Sequence, residues 1–480
     1  MSKEEYRMKE EIKALQARLF TLQRALINAK RPVIVLIEGF GASGKGDIIS
    51  ELISEMDSRG YRVYTKLGDN EEDKRRPALA PFWEAIPKKG EISIFVHGWY
   101  ELMFKSSLEG KKKRGLAKSI NTFERQLADD GYIIYKFYLS TGKKEQSRRL
   151  KELSEDKSTA WRVTKSDYKC NKEYDKREAI VSKIIAKTDT SYAPWKWVDS
   201  TDEDIAIYNI LSTMVVELEA ILARKVSRKS VVDKQEIPLI KMPKLKKVLL
   251  DKVIEEVEYK ALLKEEKKKL RELHGYLYQK KIPVVLGFEG WDAAGKGGAI
   301  RRLSWALDPR GFDIIPVAAP SANELAHHYL WRFWKHIPKK GHIAIFDRTW
   351  YGRVMVERIE RFTSKKRCAE AYNEINEFEK ELSDWGAIVM KFWIQIDNEE
   401  QLKRFNARQK TPAKRYKITE EDWRNREKWD VYEKAVDEMI KKTSTENAPW
   451  IIVEGNDKKY ARIKVIRAVR EAIEARIGSK

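Results

Sequence analysis

Short, continuously apolar runs alternate along the chain with longer stretches in which apolar residues recur every three or four positions. In the second half the short runs are IPVVLGFE (282–289), DIIPVAAP (313–320), HIAIFD (342–347), IVMKFWIQI (388–396) and WIIVEG (450–455). They lack the in–out alternation of a half-exposed strand. Such runs suit strands covered on both faces, and the stretches between them have the helical period. The pattern predicts a doubly wound α/β domain with a parallel sheet, whose ligands bind beyond the carboxyl ends of the strands.

The same pattern occurs twice. IVLIEGFGASGKG (34–46) matches VVLGFEGWDAAGKG (284–297), Lys45 falling on Lys296 at an offset of 251. That offset also pairs FWEAIPKKG (82–90) with FWKHIPKKG (333–341), and Trp99-Tyr100 with Trp350-Tyr351. An offset of 255 then pairs Phe123-Glu124 with Phe378-Glu379, and TDTSYAPW (188–195) with TSTENAPW (443–450). Anchors in one order over this length mark a tandem duplication. The expected layout is a first domain over 1–224, a linker over 225–250 and a second domain over 251–480. The linker segment is lysine-rich, carries Pro238 and Pro243, and reads as solvated.

Composition narrows the partners. The chain has 480 residues, and Lys+Arg exceed Asp+Glu to give a net charge of +22. A surplus this large favours polyanions, without choosing among nucleic acid, acidic membrane and a phosphate polymer. Two cysteines, Cys170 and Cys368, exclude a disulfide scaffold and fit a reducing compartment. The charged N-terminus lacks the apolar stretch of a signal peptide, and no uninterrupted apolar run is long enough for a membrane span. A cytoplasmic enzyme acting away from membranes is expected.

The candidate chemistry centres on Gly290-Trp291-Asp292-Ala293-Ala294-Gly295-Lys296-Gly297, which follows a strand and opens a helix. In that context a G-x-x-x-x-G-K string wraps backbone N–H groups around phosphate oxygens, and the lysine adds a mobile positive charge. Gly297 stands where such loops usually carry Ser or Thr for magnesium. Asp292, inside the loop, and Asp347, ending IAIFD, are therefore the candidate metal ligands, for one or two hydrated Mg²⁺ ions. Arg348 follows as a bidentate phosphate contact.

Beyond the fourth strand, residues 401–435 are densely basic and interrupted at Thr411-Pro412, with Arg404, Arg408, Lys410, Lys414, Arg415 and Lys417. This is where a P-loop kinase carries its closing lid. Trp423 and Trp429 read as packing residues, and His327 and His328 carry no metal-ligand spacing.

The strings GWDAAGKGG, AAP, FDRTWYGR, VERI, EFEKELSDWG, RFNAR and NAPW together resemble the polyphosphate kinase 2 family, closely over 251–455 and more distantly over 1–225. The duplicated layout resembles the family's two-domain type. The resemblance implies two tandem P-loop kinase-like domains, each with a helical lid. It also implies Mg²⁺-dependent phosphoryl transfer from inorganic polyphosphate to a nucleotide, with AMP as the leading acceptor. It places Asp292 and Asp347 on the metal, and Lys296 and Arg348 on the transferred phosphate. Arg404 and Arg408 match basic lid positions. Arg353, Lys414 and Arg415 join them as phosphate or nucleotide contacts, and Arg301, Arg302 and Arg310 would hold the polyphosphate chain.

The first copy departs from this set. Gly41 replaces Asp292, Val96 replaces Asp347, His97 replaces Arg348, Leu102 replaces Arg353 and Leu153 replaces Arg408; only Lys45 and Arg149 remain. It is expected to be non-catalytic, serving as scaffold, dimer surface or polyphosphate-docking surface. His97 has the chemistry to bind a metal or shuttle protons, but a lone His there is expected to be a packing or polar replacement. Other readings are polyphosphate-dependent ADP or GDP phosphorylation, an ATP-dependent nucleotide kinase, and a non-catalytic polyanion binder. Paired carboxylates in a phosphate site argue against the last. No nucleic-acid or membrane partner is expected, and a homo-oligomer is.

Overall fold

Among the described residues ten strands build two five-stranded sheets, every neighbouring pair parallel. The structure is a computed structural model and describes residues 3–104, 110–223 and 236–478; the side chains of 110–113, 414 and 417 lie outside the description. The first sheet holds β1 (Val33–Gly39), β2 (Tyr61–Thr65), β3 (Ile92–Val96), β4 (Ile133–Ser140) and β5 (Trp195–Asp199), in the order β2-β3-β1-β4-β5. The second holds β6 (Val284–Gly290), β7 (Phe312–Pro316), β8 (Ile343–Asp347), β9 (Ile388–Gln395) and β10 (Trp450–Glu454), in the equivalent order β7-β8-β6-β9-β10. The most apolar segments, β1 and β6, take the centre, while β2 and β7 lie at edges and are mostly exposed. The predicted strand over 313–320 stops at Pro316. Ser321 then caps a short helix, Ala322–Leu325, through a capping box with Glu324.

One face of the first sheet is covered by the helices Lys3–Ala29, Lys45–Ile53 and Glu203–Ala223. Their apolar stripes, including Leu19 and Leu26, Ile48 and Leu52, Leu211 and Val215, meet Val35 and Ile37 of β1. Each such side chain contributes about 1.5–3 kcal/mol when fully buried. The helix Glu203–Ala223 is long and apolar enough to cross a bilayer. It is nonetheless a core helix, with seven residues buried and Glu219 paired to Arg18 at 2.7 Å.

The opposite face explains the recurring anchors. In the second copy Lys391 Nζ, fully buried on β9, donates to Glu379 Oε2 at 2.7 Å, Tyr351 Oη at 2.8 Å and the Thr443 carbonyl at 2.6 Å. Trp350 Nε1 and Tyr351 Oη donate to Glu379 Oε1, and Trp450 Nε1 donates to Thr443 Oγ1. The first copy repeats this with Lys136, Glu124, Tyr100, Thr188, Trp99 and Trp195. A buried ion pair is tolerated when its remaining donors and acceptors are satisfied, so loss of any one member would strand the others. Residues far apart in sequence are thus retained together in both copies.

Within the described residues the chain forms two compact units. One contains residues up to 74, 78–223 and 321–331; the other contains 75–77, 236–320 and 332–478. The boundaries expected at 224 and 250 therefore omit two short excursions. The expected linker is also not solvated throughout. Ile240 N donates to the Ser444 carbonyl at 2.7 Å, Leu245 is buried, and its N–H reaches Asp437 Oδ1 at 2.9 Å. Residues 239–247 lie along the second unit because Leu245 supplies an apolar anchor that composition alone conceals.

Candidate phosphate-binding site

The loop 290–297 joins the carboxyl end of β6 to the helix Lys296–Ser304. Its glycines are fixed by geometry. At Gly290 a Cβ would lie 2.7 Å from the Ile394 carbonyl oxygen, and Gly295 holds φ 112° just before the helix. Ala293 takes a left-handed φ of 63°, as Ala42 does in the first copy at 60°. Lys296 Nζ folds back onto the carbonyls of Gly290 at 2.7 Å and Trp291 at 3.4 Å, using two of its three donors.

Asp347 ends β8, beside β6, and its carboxylate makes no hydrogen bond or ion pair with the described residues. Arg348 follows at φ 64°, and this strained turn aims an exposed guanidinium toward Asp292, Nη2 to Oδ1 3.6 Å. Asp292 Oδ2 accepts from Asn425 Nδ2 at 3.1 Å, and Tyr432 Oη donates to Asn425 Oδ1 at 3.2 Å. Beneath them the buried Glu289 accepts from Thr349 N and Oγ1, both at 2.7 Å, pinning the turn after Asp347-Arg348. Burial pushes the Glu289 carboxyl above its usual range, against the pull of Lys296.

The basic segment forms a lid on this loop. The helix Glu420–Glu427 carries Asn425, and Trp429 stacks on loop residue Trp291 with ring centroids 3.7 Å apart and planes 9° apart. Trp423 packs against Phe405. Both tryptophans are packing residues, as their setting in the sequence predicts.

Several expected phosphate contacts sit elsewhere. Arg404 is buried, and all five of its N–H groups are committed. They go to Glu400 Oε1 at 2.6 Å, the carbonyls of Ala293 and Ala294 at 3.0 and 2.7 Å, and those of Gly455 and Asn456 at 2.7 and 3.0 Å. It braces the back of the loop and has no donor left for phosphate. Arg310 precedes β7, at the amino end of a parallel sheet, and is forked onto Asp308 at 2.8 and 3.1 Å. A five-residue strand spans roughly 16 Å, so Arg310 cannot join the cradle. Arg301 and Arg302 flank the Trp305 ring at 5.4 and 5.2 Å. Arg353 is tied to Glu357 at 2.6 Å, and Arg415 is exposed and donates to the Gln409 carbonyl. Arg408 is half-buried on the helix Asn398–Lys410, while the Lys414 side chain lies outside the described residues.

Asn425, Gln401 and Glu289 were not foreseen. Gln401 Nε2 donates to the Asp292 carbonyl at 3.1 Å, as Gln146 does to that of Gly41 at 2.9 Å. Retention of Gln and Glu at both equivalent positions was the available signal. A separate cavity of about 660 Å³ is lined by Arg358, Arg361, Lys365, Tyr372, Glu438 and Lys442, with Arg358 paired to Glu438 at 2.7 Å.

The first copy closes its loop differently. Lys45 Nζ donates to Gly39 and Phe40 carbonyls, both at 2.8 Å, and to Ser43 Oγ at 3.3 Å. A Cβ on Gly41 would meet Asp167 Oδ1 at 2.2 Å. The carboxylate of Asp167, which also accepts from Thr164 N, occupies the space corresponding to the Asp292 side chain.

Known proteins resemble the chain over nearly its whole length. The family described as polyphosphate kinase 2 matches residues 1–226 and 253–479. The chain is 43% identical over 455 residues to a polyphosphate:AMP phosphotransferase of Pseudomonas aeruginosa, covering 93% of this chain and 91% of that protein. It is 39% identical to a protein of the same name in Pseudomonas syringae pv. tomato, covering 96% and 95%. A crystal structure described as a polyphosphate kinase 2 from Pseudomonas aeruginosa superposes with TM-score 0.85 at 38% identity, covering 100% of this chain and 97% of that one.

Proposed function

The chain belongs to the polyphosphate kinase 2 family, and on that premise we propose that its second unit transfers a phosphoryl group from inorganic polyphosphate to AMP, giving ADP. The observation that carries the assignment to this unit is the approach of Arg348 to Asp292 at the lip of the phosphate loop, beside an uncommitted Asp347.

An AMP phosphate oxygen is already ionised at neutral pH, so the site needs no strong general base. It needs alignment of two polyanions and neutralisation of the charge on the group in flight. Backbone N–H groups of the loop, other than that of Ala294, which donates to the Trp291 carbonyl at 3.0 Å, cradle phosphate oxygens, and Lys296 turns its remaining donor to them. Arg348, exposed and held by the left-handed turn, offers a fork to the same group. Asp292 and Asp347 are hard oxygen donors of the kind Mg²⁺ takes, and Asp347 is free of competing partners among the described residues, so the pair fits that ion. When bound, it supplies further neutralisation of phosphate charge.

AMP is the preferred acceptor because relatives matching over both copies bear that name. Relatives named GDP- or ADP-polyphosphate phosphotransferase match only about one copy's length, 38–44% of this chain. The test supplies Mg²⁺ with AMP, ADP or GDP, and either polyphosphate or ATP as donor. ADP formed from AMP with polyphosphate supports the proposal. Turnover with ATP alone refutes the donor, and phosphorylation of ADP or GDP but not AMP refutes the acceptor.

A further inference from the structure

The first unit carries a group of side chains that phosphoryl transfer does not use. Glu38, fully buried near the end of β1, accepts from Gly98 N at Oε1 over 2.7 Å. His97 follows β3, and Glu101 opens the helix Glu101–Phe104 one turn later. His97 Nδ1 lies 3.6 Å from Glu101 Oε2 and 4.0 Å from Glu38 Oε2. One ligating atom from each of the three lies within 4.8 Å of the other two.

These separations exceed hydrogen-bond length, and the buried His97 Nδ1 has no hydrogen-bond partner among the described residues. They lie close to the ~3.4 Å edge of a tetrahedron whose metal–ligand bonds are ~2.1 Å, the length of Zn–N and Zn–O bonds. Both carboxylates also make contacts of their own, so it is the convergence of the three atoms that marks the site.

Comparison of the copies isolates what is new. The turn after the third strand is left-handed in both, φ 59° at His97 and 64° at Arg348, so the fold fixes the direction of this side chain and only its chemistry has changed. In the second unit a cation, Arg348, and Gly352 stand at the positions of His97 and Glu101, while Glu289 accepts from Thr349 N as Glu38 accepts from Gly98 N. We propose that Glu38, His97 and Glu101 bind a divalent transition-metal ion of the zinc type, with the remaining coordination positions open to water. One imidazole with two carboxylates favours such an ion over magnesium. The ion sits at the carboxyl ends of β1 and β3, the end of the sheet from which the loop 39–46 springs. It clips the end of β1 to the turn that follows β3, so its binding stabilises the folded chain.

The test uses full-length protein without a polyhistidine tag, stripped with chelator and dialysed against Zn²⁺, with Co²⁺ as a spectroscopic probe. One zinc equivalent per chain should disappear in His97→Ala, weaken at least tenfold in Glu101→Gln, and persist in Asp347→Asn. The visible Co²⁺ absorption should follow the same order, and Zn²⁺ should raise the melting temperature of the parent but not of His97→Ala. Melts in chelator show whether His97→Ala folds; if it does not, Glu101→Gln gives the reading. No zinc binding by the parent, or the same stoichiometry and affinity in the parent and in folded His97→Ala or Glu101→Gln, overturns the site.

Discussion

Asp347 and Arg404 show how differently two charged residues near one loop behave. The Asp347 carboxylate makes no hydrogen bond or ion pair among the described residues, so Asp347→Asn should leave circular dichroism and melting unchanged. It should lower kcat by on the order of 10²–10³, the typical cost of one electrostatic contact to a transition state. Arg404 satisfies four backbone carbonyls and Glu400. Arg404→Ala should instead lower stability by on the order of 3 kcal/mol, read from thermal or urea melts, because buried acceptors lose their donors. Arg404→Lys should recover only part, since an ammonium offers three donors against five. His274 gives a pH signature. It is buried, and Nδ1 accepts from Asp308 N at 3.0 Å. Burial holds its pKa below the ordinary 6.5. A lowered folded value means that its contribution is complete above 6.5 and is lost as pH falls through the folded value. Urea midpoints should fall on acidification below about 6.5, and His274→Gln should flatten that slope.

The lid and the loop act as one element pair. Trp429 on Trp291 and Asn425 on Asp292 tie the helix Glu420–Glu427 and the start of the next helix to the phosphate cradle. The first copy keeps the aromatic contact, Tyr174 against Phe40 with centroids 5.3 Å apart, but has Cys170 opposite Asn425. Trp429→Ala should therefore reduce kcat/KM more than ten-fold while leaving melting within a few degrees, because closure rather than the core is impaired. Steady-state kinetics with polyphosphate varied would show it. The lid was legible in the sequence as a basic interrupted segment after the fourth strand. Its grip was not, because a stack between residues 291 and 429 depends on where two distant elements meet.

Across the whole chain, the two copies share topology and buried networks and differ in the residues lining one end of each sheet. Lys296→Ala should abolish turnover, and Lys45→Ala should leave at least half of it; a loss as complete in Lys45→Ala would refute the division of labour. Restoring carboxylates with Gly41→Asp and Val96→Asp should not activate the first unit, since Asp167 already fills the space at Gly41. With a net charge of +22, KM for polyphosphate should rise with ionic strength. The amino-acid sequence by itself determined the duplication, the parallel doubly wound sheets, the loop and the contrast between Asp292 and Gly41. All of these reside in local patterns or in comparison of one copy with the other. Only the tertiary structure decided that Arg404 faces the loop's back, that Arg310 lies at the far end of the sheet, and that residues 239–247 are docked. It also showed that His97 stands between two glutamates. Direction and proximity of side chains follow from strand order and backbone handedness, which spacing along the chain does not contain.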